Sequence, residues 1–132
     1  MNIFHLAIPS HDLDASTAFY AGALNARPAR RDEASQTFNF FGHRLVCCFD
    51  GSDTTPPQPL QTPTSRHFGL IMLDRDALER AHRACRAQGV QHLSDLTWGS
   101  EDKPERHLSF WATDPSGNVV EFKWYVAHNF IY

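Results

Sequence analysis

Residues 2–8, Asn-Ile-Phe-His-Leu-Ala-Ile, predict a strand stopped by Pro9, and Ser10 through Asp14 carry start signals for a helix over about 12–23. Leu13, Tyr20, Ala23 and Leu24, with Phe19 beside them, form an apolar stripe that the polar Ser16 and Thr17 interrupt. Asn25 can end this helix in the left-handed region. Short strands follow at about 27–31, 36–41 and 44–49, the last two joined in hairpin style at Gly42-His43. Residues 51–64 carry four prolines and few apolar side chains, a linker composition. The pattern then restarts. A strand is predicted at 66–73, a helix from about 75 to 88 ending before Gly89, and a strand near 91–97. A polar loop at 99–105, a strand at 107–113, a turn at 114–117 and a last strand complete the chain.

The turn Asp114-Pro115-Ser116-Gly117 has a local mechanism. Asp can bond the backbone ahead of it, Pro fixes φ, and Gly accepts a positive φ. In the strand beyond, Val119, Glu121 and Lys123 point one way and Val120, Phe122 and Trp124 the other, the second set being a core face. Taken by itself, Glu121 reads as a solvated surface residue, because Glu is rarely buried without a partner.

Both halves therefore read β-α-β-β-β, with module one at 1–50, the linker at 51–64 and module two at 65–132. His5 and His67, Asp12 and Asp74, and Asp14 and Asp76 all stand 62 residues apart. Each half so places a histidine in its first strand, seven residues before a helix-capping Asp. Val46-Cys47-Cys48-Phe49 aligns with Val119-Val120-Glu121-Phe122, making Cys48 the counterpart of Glu121 to within one residue. Two such modules side by side can bring His5, His67 and Glu121 together. Two imidazoles and one carboxylate suit Fe(II), Mn(II), Ni(II) or Zn(II), with positions left open for substrate and oxygen.

Composition narrows the class. The chain has 132 residues, 42% hydrophobic and 20% charged, enough for a single α+β domain with its own core. A net charge of −3 without a basic stripe argues against nucleic acid. No apolar run approaches the ~18 residues of a membrane span, and the first residues show no signal-peptide pattern, so a cytoplasmic location is expected. Three cysteines, two adjacent, are a poor disulfide framework and predict reduced thiols.

The chain resembles the vicinal oxygen chelate superfamily of glyoxalase I, bleomycin-resistance proteins and extradiol dioxygenases. The resemblance rests on Phe4-His5-Leu6-Ala7 with Asp12-Leu13 and Phe19-Tyr20, on His67-Phe68-Gly69, and on the run from Asp114 to Phe122. The Phe-Asn-Phe-Phe-Gly-His run at 38–43 and Glu-Phe-Lys at 121–123 look most like its small predicted dioxygenases. The resemblance implies paired βαβββ modules forming a cupped eight-stranded mixed sheet, a divalent metal on His5, His67 and Glu121, and a homodimer. Glyoxalase I typically has four metal ligands, and here the fourth position falls near Cys47 or Cys48, without a carboxylate. Fosfomycin-type transferases need a cationic cradle that the sequence does not display, and bleomycin-binding relatives lack the metal triad.

The reading is thus a metal-dependent extradiol-type oxygenase, Fe(II) first among metals, acting on a small aromatic diol with O₂. Such chemistry needs a base. His43 is the first candidate, from its place at a hairpin end, followed by His107 and Tyr125. Cys48 reads either as a fourth soft ligand or as a small buried thiol, and His11 as a residue bordering the first helix. Phe38, Phe40, Phe41, Trp111 and Trp124 fit an aromatic pocket or core packing. The alternatives are a glyoxalase-type metal-dependent lyase or isomerase, and a non-catalytic module that binds a small molecule.

Overall fold

The computed structural model describes residues 1–49, 51 and 66–132, so the predicted linker falls outside the described residues except for Gly51. These residues divide into two compact units, one formed by the N-terminal half with Asp114–Asn118, the other by the rest. The turn predicted at 114–117 for the second module, together with Asn118, therefore belongs to the first unit.

In the first unit, β1 (His5–Pro9) leads to α1 (Leu13–Thr17), followed by β2 (Arg27–Arg31), β3 (Ser35–Phe40) and β4 (His43–Cys48). The sheet order is β1-β4-β3-β2, with β1 parallel to β4 and the other pairs antiparallel. The side chain of Asp12 caps α1 by accepting from the amides of Asp14 (2.9 Å) and Ala15 (3.0 Å). After Thr17 the helix widens into a π-helical turn, Ala18–Ala23. Thr17 Oγ1 donates back to the Leu13 carbonyl at 2.7 Å, a bond that loosens the helical ladder where the apolar stripe is interrupted. Asn25, at φ 59°, then turns the chain into β2.

The wide turn seats Tyr20 fully inside the core among the rings of Phe19, Phe38 and Phe40. Its hydroxyl donates to Asp114 Oδ2 at 2.7 Å. The β3–β4 hairpin turns at Phe41-Gly42, both at positive φ, one residue earlier than the sequence suggests. His43 is thereby the first strand residue, paired with Phe40.

The second unit repeats the order with β5 (Phe68–Ile71), α2 (Arg75–Ala87), β6 (Thr97–Gly99), β7 (His107–Thr113) and β8 (Val119–Tyr125), arranged β5-β8-β7-β6. The described strands thus form two four-stranded mixed sheets from two βαβββ modules. Asp74 caps α2 through the Asp76 amide, and Gly89 ends it at φ 70°. Leu78, His82 and Cys85 share its buried face, and His82 Nε2 donates to the Ser94 carbonyl at 2.8 Å. This histidine is a satisfied core residue. Phe110 and Phe122 stack in the same core, 5.2 Å between ring centres.

The strand predicted at 91–97 is reduced to a bridge at Leu93 and the short β6. Ser94 explains the break, because its hydroxyl takes the Trp111 amide (2.9 Å) that a regular ladder would give to backbone. A 3₁₀ turn at His128–Phe130 follows β8.

All three cysteines are free, as the sequence suggests. Burial pushes the Cys47 thiol up to about 12, with the nearby Asp114 carboxylate adding to the shift, and burial alone pushes Cys85 up to about 11. Neither is a thiolate near neutrality.

Candidate functional site

Strand alternation sets the site. On β8, Glu121, Lys123 and Tyr125 share a face, and the β7 residues directly opposite them are Trp111, Ser109 and His107. β5 runs parallel on the other side, with Gly69 paired to Glu121 and Ile71 to Lys123. A Cβ at Gly69 would overlap the Glu121 carbonyl, so only glycine lets β5 come this close.

His67, immediately before β5, meets Glu121 across this approach, its Nε2 3.1 Å from Oε2. The other carboxylate oxygen lies 3.4 Å from Lys123 Nζ. The Glu121 side chain is only 15% exposed and is bracketed by these two groups. His67, Gly69, Ile71, Glu121, Lys123 and Tyr125 line a cavity of about 290 Å³. His107 lies on the same face, its ring 5.2 Å from Tyr125. Its Nδ1 is 3.1 Å from the Glu105 carbonyl and so carries the proton, which leaves Nε2 as the acceptor nitrogen. That nitrogen packs against Gly99, where a Cβ would collide with the imidazole.

The first unit holds the remaining candidates. His5 opens β1 beside its register partner Arg44, with Nδ1 3.4 Å from the guanidinium. Ala7 pairs with Val46 as Gly69 pairs with Glu121, and Pro9 with Cys48 as Ile71 with Lys123. Val46, rather than Cys48, is therefore the counterpart of Glu121. The sequence alignment matched strand ends, whereas ladder register fixes the equivalence, two residues away.

Cys48 is exposed and takes the place of Lys123. His43 accepts the Phe4 amide on Nδ1 at 3.3 Å, and alternation puts it on the side of Leu45 and Cys47, away from Arg44. His11 joins the 114–118 turn, its Nδ1 2.8 Å from Ser116 Oγ. Phe38 and Phe40 are core, Phe41 is exposed, and Trp124 lies by the Arg75 guanidinium, which is 5.8 Å from the ring centre. Among the described residues no group of three or more His, Cys, Asp and Glu side chains is arranged to hold a metal ion. The structure brings His67 and Glu121 together, while His5 stands in the first unit.

One residue of the site, Lys123, has no role assigned from the sequence, and Trp111 stands there only as pocket or core. Lys123 was legible from strand alternation, while Trp111 is placed beside Glu121 only by the β7–β8 register.

The sequence profile of the Glyoxalase/Bleomycin resistance protein/Dioxygenase superfamily matches residues 2–122. The chain belongs to this superfamily. A glyoxalase/bleomycin resistance protein/dioxygenase from Alicyclobacillus acidocaldarius is 35% identical, with 99% of this chain and 96% of that one covered and a TM-score of 0.86. The uncharacterized protein PA2024 of Pseudomonas aeruginosa is 29% identical over 126 residues, covering 91% of this chain and 86% of that protein. The fosfomycin resistance protein FosX of Listeria monocytogenes shares the fold, with a TM-score of 0.74 at 17% identity over 99% of this chain and 98% of that one.

Members of the glyoxalase superfamily are generally metal-dependent. The donors here fit such a group, since an imidazole nitrogen and a carboxylate oxygen converge on one face and both ligate first-row divalent ions. No helix among the described residues is long and apolar enough to cross a membrane.

Proposed function

We propose that the chain is a metal-dependent oxygenase of extradiol type that opens the ring of a small aromatic diol with O₂, in the cytoplasm. The observation that carries this reading is the His67–Glu121 pair at 3.1 Å on the wall of a cavity of about 290 Å³. His67 and Glu121 hold the metal, and His5, from this chain or from a second copy in a homodimer, is the third ligand. Val46 in the place of a second carboxylate supports a two-His, one-carboxylate set over a four-ligand glyoxalase one. Fe(II) is the metal expected, with Mn(II), Ni(II) and Zn(II) as other occupants of such donors. Once bound, it supplies Lewis acidity toward the two diol oxygens and a redox centre for O₂.

The remaining work falls to side chains on the Glu121 face. His107 Nε2 is a proton acceptor held in one tautomer by the Glu105 carbonyl, and Tyr125 presents its phenol to the cavity. His43 lines a different cavity, of about 200 Å³, with its Nδ1 already taken by the Phe4 amide. Tyr125, which lines the His67–Glu121 cavity, is therefore the first candidate for the base, and His107, whose Nε2 packs against Gly99, the second.

Anaerobically purified, iron-loaded protein is expected to consume O₂ with at least one member of a catechol panel. Fully iron-loaded protein that consumes none across the panel would contradict the reading. Turnover with Ni(II) or Zn(II) and no O₂ would instead indicate a glyoxalase-type lyase or isomerase. Tight ligand binding without turnover, surviving metal removal, would indicate a binding module.

A further inference from the structure

We propose that Lys123 makes the His67–Glu121 cavity selective for substrates that carry an anionic group beside their two chelating oxygens. The inference rests on the metal-site reading and names the substrate class of that site. A lysine on a sheet face ordinarily extends into water. Lys123 instead lines the cavity with its side chain 30% exposed, and its ammonium turns back to Glu121 Oε1. The separation of 3.4 Å is longer than the ~2.7–2.9 Å of a close charge-assisted bond, so the pairing is loose. Glu121 is also shared with His67.

Charge balance then decides what the cavity wants. Glu121 is the carboxylate within ion-pair distance of Lys123 among the described residues. A divalent cation held by Glu121 and neutral imidazoles more than offsets that single negative charge. The lysine is left as an uncompensated cation on a partly desolvated wall, where an anion is attracted more strongly than in bulk water. A neutral diol leaves the lysine unanswered, whereas a diol bearing a carboxylate or similar anion satisfies it. The neighbouring surface, Ile71, Tyr125 and the Trp111 opposite Glu121, suits a flat, largely apolar body between those polar ends.

The test is calorimetric binding of catechol, 2,3-dihydroxybenzoate and 3,4-dihydroxybenzoate to the Zn(II)-loaded protein, in which no turnover intervenes. At least one carboxylated ligand is expected to bind about tenfold more tightly than catechol, with the preference shrinking as salt is added. In Lys123→Gln the preference should disappear, and in Lys123→Arg it should be retained. The Zn(II) affinity of Lys123→Gln should be unchanged or higher, because the cation competing for Glu121 has gone. Zn(II) binding with no carboxylate preference in the wild type, or with a preference that survives in Lys123→Gln, overturns this inference and leaves the metal site standing. Failure of the wild type to bind Zn(II) overturns both.

Discussion

Replacing Asp114 by Ala is expected to cost the fold about 3–5 kcal/mol, because it leaves several buried donors without an acceptor at about 1–3 kcal/mol each. Asp114 is 1% exposed, and all its acceptor capacity is in use. Oδ1 accepts from the amides of Ser116 and Asn118, and Oδ2 accepts from the Tyr20 hydroxyl and Asn118 Nδ2. Alanine removes all four acceptor contacts at once. The buried Tyr20 hydroxyl then faces an apolar wall, and the turn loses the bonds that define it. Urea unfolding monitored by tyrosine and tryptophan fluorescence measures the loss, and a change below about 1 kcal/mol would contradict it.

The same carboxylate imposes a pH dependence whose sign can be stated. Burial raises its pKa above the ordinary 3.8, and the hydrogen bonds from Asn118, Tyr20 and Ser116 only partly oppose that. The folded chain therefore holds this proton more tightly than the unfolded chain. The resulting stabilisation is full below the unfolded value near 3.8 and is lost as pH rises through the raised folded value. Asp114→Asn has no such component, so the stability of wild type relative to Asp114→Asn should fall as pH rises across that window. A difference that stays flat would contradict the assignment.

Gly69→Ala is expected to have the second-largest effect, about 1–3 kcal/mol and toward the upper end, because the added methyl meets backbone that cannot rotate away. The overlap is with the Glu121 carbonyl, in the middle of the β5–β8 ladder. β5 has four residues and pairs with β8 alone in its sheet, so it is the strand that gives way. Moving it carries His67 away from Glu121. A loss of stability together with a drop of at least about tenfold in metal affinity is therefore the expected signature. Metal affinity equal to wild type in a destabilised Gly69→Ala would separate the strand contact from the site.

What the sequence made legible is what local chemistry dictates. The Asp12 and Asp74 caps, the Gly89 helix end, the Asp114 turn and the bounds of β7 all follow from residues within a turn or two of one another. The 62-residue repeat exposed the two βαβββ modules because each half repeats the same caps and strand starts. What it could not show depends on distant partners. The turn that reads as part of module two packs in the first unit, because Asp114 bonds Tyr20 94 positions earlier in the chain.

The π-helical turn that delivers Tyr20 leaves only an interrupted apolar stripe as its trace. Cys48 reads as the counterpart of Glu121 in the repeat, but ladder register gives that place to Val46, a two-residue difference that strand ends cannot resolve. The lost strand at 91–97 turned on a single Ser94 hydroxyl competing with backbone. Of the proposed ligands, the pairing of His67 with Glu121 was foreseeable from the repeat, whereas the cation beside them was written in the alternation of β8 and passed over.

The central claim, that His67 and Glu121 bind a divalent metal, is tested most directly by titrating metal-free protein with Zn(II) under a competing chelator, alongside Glu121→Ala and His67→Ala. About one ion per wild-type chain is expected. Affinity should be lower by at least about 100-fold in each variant, with thermal unfolding of the metal-free forms little changed. Wild-type affinity in Glu121→Ala would contradict the claim.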